Sequence, residues 1–182
     1  MKNALFILVA LVAFSFSCKR DPIVNNQDLE PITFEFQDTI DFPVPSSIGL
    51  NIPWILPSID IQSGFANEIV NANELVYVVE DITLSALTLE LRNPPGVNFS
   101  FLKHMTLFLE GDDGDKIELA HRFNVSPTVG TTLEFEPSNH QLDDFIKSDS
   151  YKLDAQLVVD ELLLQDIELR AYMTFKVTLT NY

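Results

Sequence analysis

The run Ile167-Glu168-Leu169-Arg170-Ala171-Tyr172-Met173-Thr174-Phe175-Lys176-Val177-Thr178-Leu179-Thr180 decides the fold class. Ile167, Leu169, Ala171, Met173, Phe175, Val177 and Leu179 take alternate places, and mostly polar residues fill the places between them. Successive side chains of a strand point to opposite faces, so this alternation gives an extended chain one dry face and one wet face.

The same period spreads backwards from this run. Tyr151, Leu153, Ala155, Leu157 and Val159 alternate with polar residues apart from Val158, and Leu133 and Phe135 sit between Glu134 and Glu136. Phe101, Met105, Leu107 and Leu109 mark a strand that stops at Gly111-Asp112-Asp113-Gly114, with Ile117 and Leu119 as its hairpin partner. Ile82 to Leu91 alternates with one phase slip near Ser85 and ends in the turn Asn93-Pro94-Pro95-Gly96. Ile32, Phe34, Phe36, Ile40 and Phe42 open the pattern, and Asp38 interrupts it as a bulge or as the strand's exposed end.

Other segments break the period. Pro43, Pro45, Pro53 and Pro57 make residues 43–60 an extended apolar loop or an edge. Phe65, Ile69, Ala72 and Val76 recur at helical spacing behind Ser63, which suggests a short helix between Gly64 and Val79, although Tyr77-Val78-Val79 equally starts a strand. Ser138-Asn139-His140 can cap a second short helix whose Leu142, Phe145 and Ile146 share one face and plug one end of the fold. The expectation is an all-β fold, an antiparallel β-sandwich, Ig-like in the broad sense, with one or two short helices. A small barrel is the alternative, because alternation does not separate closure from stacking. Phe34, Phe101, Leu107, Leu153, Leu169, Met173 and Phe175 are the expected core.

Ahead of this domain stands a different kind of sequence. Lys2 precedes an uncharged stretch from Ala4 to Ser17, and the chain's one cysteine, Cys18, follows directly. A run from 4 to 17 is shorter than the roughly 20 residues of a transmembrane helix, so it reads as a cleaved export leader. Small Ser17 directly before Cys18 resembles the lipobox of bacterial lipoproteins, in which Ser15 takes a place usually held by Leu, and the resemblance implies that Cys18 is acylated. An ordinary secretory peptide is the alternative. Residues 1–17 are thus the signal peptide, 18–30 the lipidated cysteine with a polar tether, and 31–182 the β-domain. Acyl chains contribute about 0.8 kcal/mol per buried methylene, enough for a multiply acylated cysteine to hold a domain on a bilayer.

Charge narrows the partners. Without Lys2 the chain keeps 10 bases against 27 acids, a net −17. That balance excludes nucleic acid and electrostatic binding to anionic lipid, and leaves cations and basic partners open. With Cys18 acylated, no cysteine remains for a disulfide or a thiolate zinc site, so packing must hold the domain.

Lys19-Arg20-Asp21 resembles the charged start of many lipoproteins from Bacteroidetes-type bacteria. The order Asn73-Glu74-Leu75, Ile82, Leu87-Thr88-Leu89, Phe99-Ser100-Phe101-Leu102, the Asp-Gly turn and the Leu142 helix is similar to small β-sandwich lipoproteins of those bacteria that carry no assigned activity. This resemblance implies a fold and an outer-membrane address, on the periplasmic or the cell-surface face. It implies no site residues.

Candidate chemistry is sparse. Asp112, Asp113 and Asp115 around two glycines offer carboxylates to calcium, but their spacing is not the EF-hand loop, and Asp and Gly are also what a hairpin turn requires. His104, His121 and His140 stand apart, with no His-x-x-x-His pair, and read as surface residues. Ser100 and Ser150 lack a nucleophile elbow, and no glycine-rich phosphate loop occurs. Trp54, the one tryptophan, either caps an end of the domain or stacks on a ligand such as a sugar ring. Asp38-Thr39-Ile40 resembles a short acceptor for protein O-glycosylation in Bacteroidetes-type bacteria. The expected function is a non-enzymatic, membrane-anchored binding or scaffolding domain without cofactor, whose partners are the membrane through its lipid anchor and an envelope protein or a glycan. A glycan-binding module using Trp54 and a carboxylate-dependent hydrolase are the alternatives.

Overall fold

A computed structural model describes residues 31–46, 48–65, 77–111 and 114–181. Cys18, Asp112, Asp113 and most of the helix expected between Gly64 and Val79 lie outside the described residues. The strands are β1 (Ile32–Val44), β2 (Trp54–Ile55), β3 (Ile59–Gln62), β4 (Tyr77–Asn93), β5 (Leu102–Glu110), β6 (Lys116–Phe123), β7 (Thr132–Pro137), β8 (Ser150–Val159) and β9 (Ile167–Asn181). One helical turn, α1 (Asp143–Ile146), lies between β7 and β8. No helix among the described residues is long and apolar enough to cross a membrane.

The protein is all-β and antiparallel, in a curled sheet of strand order β1-β9-β4-β7-β6-β5-β8-β2, with β3 also paired to β8. β7 makes the corner. It pairs with β4 through Leu87↔Phe135 and with β6 through His121↔Glu136, so hydrogen bonding runs unbroken from one half of the sheet to the other. β9 holds the centre of the first half, with Phe34↔Val177 and Phe36↔Phe175 on one side and Leu84↔Phe175 and Leu87↔Met173 on the other.

Alternation became burial as the sequence requires. Leu169, Ala171, Met173, Phe175 and Val177 are buried, as are Phe101, Leu107 and Leu153. Phe34 is a partial miss: it is half-buried and packs on the margin of the core. The phase slip at Ser85 is a register shift between Leu84 and Ala86, which turns Ser85 outward to donate to Thr174 O at 3.1 Å. Pro57 separates β2 from β3, two short strands at one end of the strand order. Residues 77–79 are strand.

Two expectations are corrected. Asp38 makes no bulge: it keeps register with Met173, and its carboxylate accepts from the Tyr151 hydroxyl at 3.0 Å. Ser138 does not cap α1, because its hydroxyl donates to Leu119 O at 3.2 Å. Leu142 stands at the cap position instead. The turn is tied down by Leu142 N donating to Ile82 O and by Ile82 N donating to Asp143 Oδ2, and Leu142 and Ile146 are buried as the expected plug.

Candidate functional site

The antiparallel register divides the loops between two ends. At one end lie Ile32, paired with Leu179, and Tyr77, paired with Asn181, together with the β5–β6 hairpin and α1. β1 therefore begins at this end, at Ile32. At the other end lie Val44, paired with Ile167, Leu102, paired with Val159, and Phe123, paired with His104.

That far end carries most of the exposed large apolar side chains. Leu164 is 94% exposed and Leu162 64%, and Leu50, Ile52 and Phe123 are exposed at the same end. Local bonding explains why these chains face water. Asp160 N donates to Phe101 O, and Ser46 donates to Asp166 Oδ1 from both its amide and its hydroxyl at 2.8 Å. The loop is pinned at both ends, Leu163 and Ile167 turn into the core, and Leu162 and Leu164 are left pointing away. Between this loop and the turn after β4 runs a cleft of about 310 Å³, with Val97, Phe101, Leu162, Leu163, Leu164 and Ile167 among its walls. Its polar edge is Ser100, which donates to Glu161 Oε2 at 3.4 Å.

Asp160, Glu161 and Asp166 bracket the three leucines and are exposed. None of the three forms an ion pair among the described residues. The Ser46 hydrogen bonds hold the Asp166 carboxyl below the usual carboxylate range. Lys103 is an exposed base at the same end and donates to Asn51 Oδ1.

No family model matches the sequence, and no curated protein does. Among solved structures, the infectious bursal disease virus Gt strain chain is 15% identical, with a TM-score of 0.37, over 85% of this chain and 35% of the viral one. The BFDV capsid protein is 11% identical, also at 0.37, over 82% of this chain and 99% of that one. The chain thus spans about a third of the bursal disease virus protein. TM-scores this low carry no argument about fold or role.

A second cluster lies on the wet face of β1, β9 and β4. Arg170 donates to both oxygens of Asp41 at 2.6 Å, Arg92 donates to Glu90 at 3.0 Å, and the Tyr172 hydroxyl donates to Glu90 Oε2 at 2.8 Å. The Arg170 hydrogen bonds hold the Asp41 carboxyl below its ordinary range, and the Tyr172 hydroxyl does the same for Glu90. Asp41, Arg92, Asn93, Glu168 and Arg170 line an open polar cleft of about 390 Å³.

The residues singled out in the sequence fall elsewhere. Trp54 is half-buried opposite Leu157, packs on the core, and is not among the walls of either cleft. Asp115 is exposed, and its carbonyl receives the Gly111 amide at 3.0 Å while Gly114 adopts φ +80. No group of three or more metal-ligating side chains occurs among the described residues. His121 Nδ1 donates to Glu118 Oε1 at 2.8 Å and the ring stacks on Phe123, and His104 Nδ1 accepts from Asn124 N. Glu110 and Asp154 come together around Lys116, which makes an ion pair with buried Asp154. The sequence reading missed Leu162 and Leu164, although Asp160-Glu161-Leu162-Leu163-Leu164-Gln165-Asp166 already shows three leucines without alternation between two strands.

Proposed function

We propose that this chain is a lipid-anchored, non-enzymatic binding domain of the bacterial cell envelope that engages a partner protein through its far end. Acylated Cys18 holds it on the outer membrane, and residues 19–30 are the tether. The observation that carries the reading is polarity: β1 begins at Ile32 at one end of the sheet, whereas Leu162, Leu164, Ile52 and Phe123 are displayed at the opposite end. A solvated apolar cluster of this kind is costly unless a partner covers it.

The Ig-like sandwich belongs to the same proposal. β1, β9, β4 and β7 form one layer, and β6, β5 and β8 with β2 and β3 form the other. Support comes from the contacts Phe36–Phe65, with ring centroids 5.7 Å apart, and Asp38–Tyr151, which join opposite margins of the sheet.

Two measurements test the reading. Mass spectrometry of the mature N-terminus should find an acylated Cys18, and Cys18→Ala should leave the membrane fraction. A photocrosslinking residue at position 164 should give one defined adduct in intact cells, whereas one at exposed position 176, near the tether end, should not. An unmodified Cys18 thiol, or adducts from position 176 alone, would sink it.

A second reading, saccharide recognition, is favoured by Tyr172, an exposed aromatic held by Glu90 on the same sheet face as the polar cleft lined by Asp41, Arg92 and Arg170. Binding on a glycan array that Tyr172→Ala abolishes and Trp54→Ala spares would favour it over the first.

A further inference from the structure

Resting on the reading of the far end as a contact surface, we propose that its cleft takes an aliphatic segment of a partner protein with Lys or Arg beside the aliphatic anchor. The walls set the first half of that description. Val97, Phe101, Leu162, Leu163, Leu164 and Ile167 make most of the lining apolar, Asn98, Ser100, Glu161 and Gln165 make the rest polar, and the volume of about 310 Å³ has room for a few aliphatic side chains.

The acidic edge sets the second half. Glu161 lines the cleft, exposed Asp160 and Asp166 flank it on the same loop, and none of the three has a cationic partner among the described residues, so a segment docking on Leu162 and Leu164 meets the Glu161 carboxylate first in a locally acidic surround. Lys and Arg there gain Coulomb attraction and speed encounter, whereas Asp or Glu is repelled. The same charges disfavour other occupants. A second copy would set these carboxylates against its own, and an anionic bilayer would meet a chain of net −17.

The test uses the mature chain without lipid, immobilised through the Cys18 thiol, and a phage-displayed library of random peptides. Selected peptides should pair Leu, Ile or Val with Lys or Arg. Their affinity should fall about tenfold in Leu164→Asp. It should fall about fivefold in Glu161→Lys, and by a similar factor between ~0.05 M and ~0.5 M salt. Tyr172→Ala should leave it unchanged. Acidic or uncharged peptides, no selected peptide, indifference to Leu164→Asp, or dimerisation of the chain through this end would each overturn the inference. Its failure is separable from that of the parent reading: a crosslink from position 164 that persists in Glu161→Lys keeps the contact surface and removes the basic partner.

Discussion

The Tyr151 hydroxyl donates to Asp38 Oδ2 at 3.0 Å, joining β8 to β1 across opposite margins of the curled sheet. Tyr151 is buried, and burial together with the facing carboxylate raises its pKa. Burial also raises the Asp38 pKa, against the pull of the Tyr151 and Gly64 hydrogen bonds. The pair is thus a polar contact beside the ring contact of Phe36 with Phe65.

Tyr151→Phe keeps the ring and removes the donor, leaving a half-buried carboxylate short of a partner. The expected loss is about 1–3 kcal/mol of unfolding free energy, read from urea titration. No loss would show that water replaces the hydroxyl.

Asp38→Asn should move stability the other way. An acid whose folded-state pKa is raised binds its proton more tightly when folded, so it costs stability above that value and ceases to as pH falls through it. The amide oxygen still accepts from Tyr151, and the amide nitrogen gives up the bond from Gly64 N, which keeps the gain small. The variant should be the more stable at neutral pH, and its advantage should shrink toward about pH 4. A variant less stable at neutral pH would contradict this.

Asp154 has the opposite sign. Burial works to raise its pKa, but the Lys116 hydrogen bond and charge outweigh it and hold the carboxyl below its ordinary range. Its contribution is present above the unfolded-state pKa and fades as pH falls through the folded one. Lys116→Met should cost about 1–3 kcal/mol, less than a fully enclosed pair would, because the Lys116 side chain is 39% exposed and water can take its place. A Lys116→Met/Asp154→Leu double variant should recover most of the loss in the same titration.

Leu162→Asp/Leu164→Asp changes only side chains in water, so the melting midpoint should stay within about 2 °C. In the Leu162→Asp single variant the position-164 crosslink should disappear, while position 176 stays without an adduct. A large drop in midpoint would make these leucines part of the core.

Phe175→Ala opens the centre of the first half of the sheet, where Phe36 stacks on Phe175 with centroids 5.1 Å apart. Phe175 is fully buried, and the expected loss is about 3–5 kcal/mol. Leu164→Ala, measured beside it, should cost almost nothing.

Strand identity was legible because period two is a local property. β9, β8 and β5 fall where Ile167–Leu179, Tyr151–Val159 and Phe101–Leu109 alternate, and even the slip at Ser85 marks its bulge. Asp38 was misread because its partner, Tyr151, stands 113 residues away and no local pattern announces it. Ser138 was misread because a hydroxyl before a helix satisfies the capping pattern whether or not a strand carbonyl competes for it.

The far-end site was illegible for a related reason. Three leucines between two strands look like core until the loop's ends are seen pinned to Phe101 and Ser46, which forces two of them outward. The sequence by itself determined the all-β class, the faces of the strands and the acidic balance, since each follows from residue order and ionisation alone. Only the tertiary structure decided that β7 turns the sheet, that Asp38 meets Tyr151, and that the exposed leucines lie opposite the chain's entry. Those are relations between distant segments, fixed by which strand edges pair, and strand pairing is not written in the period of any one strand.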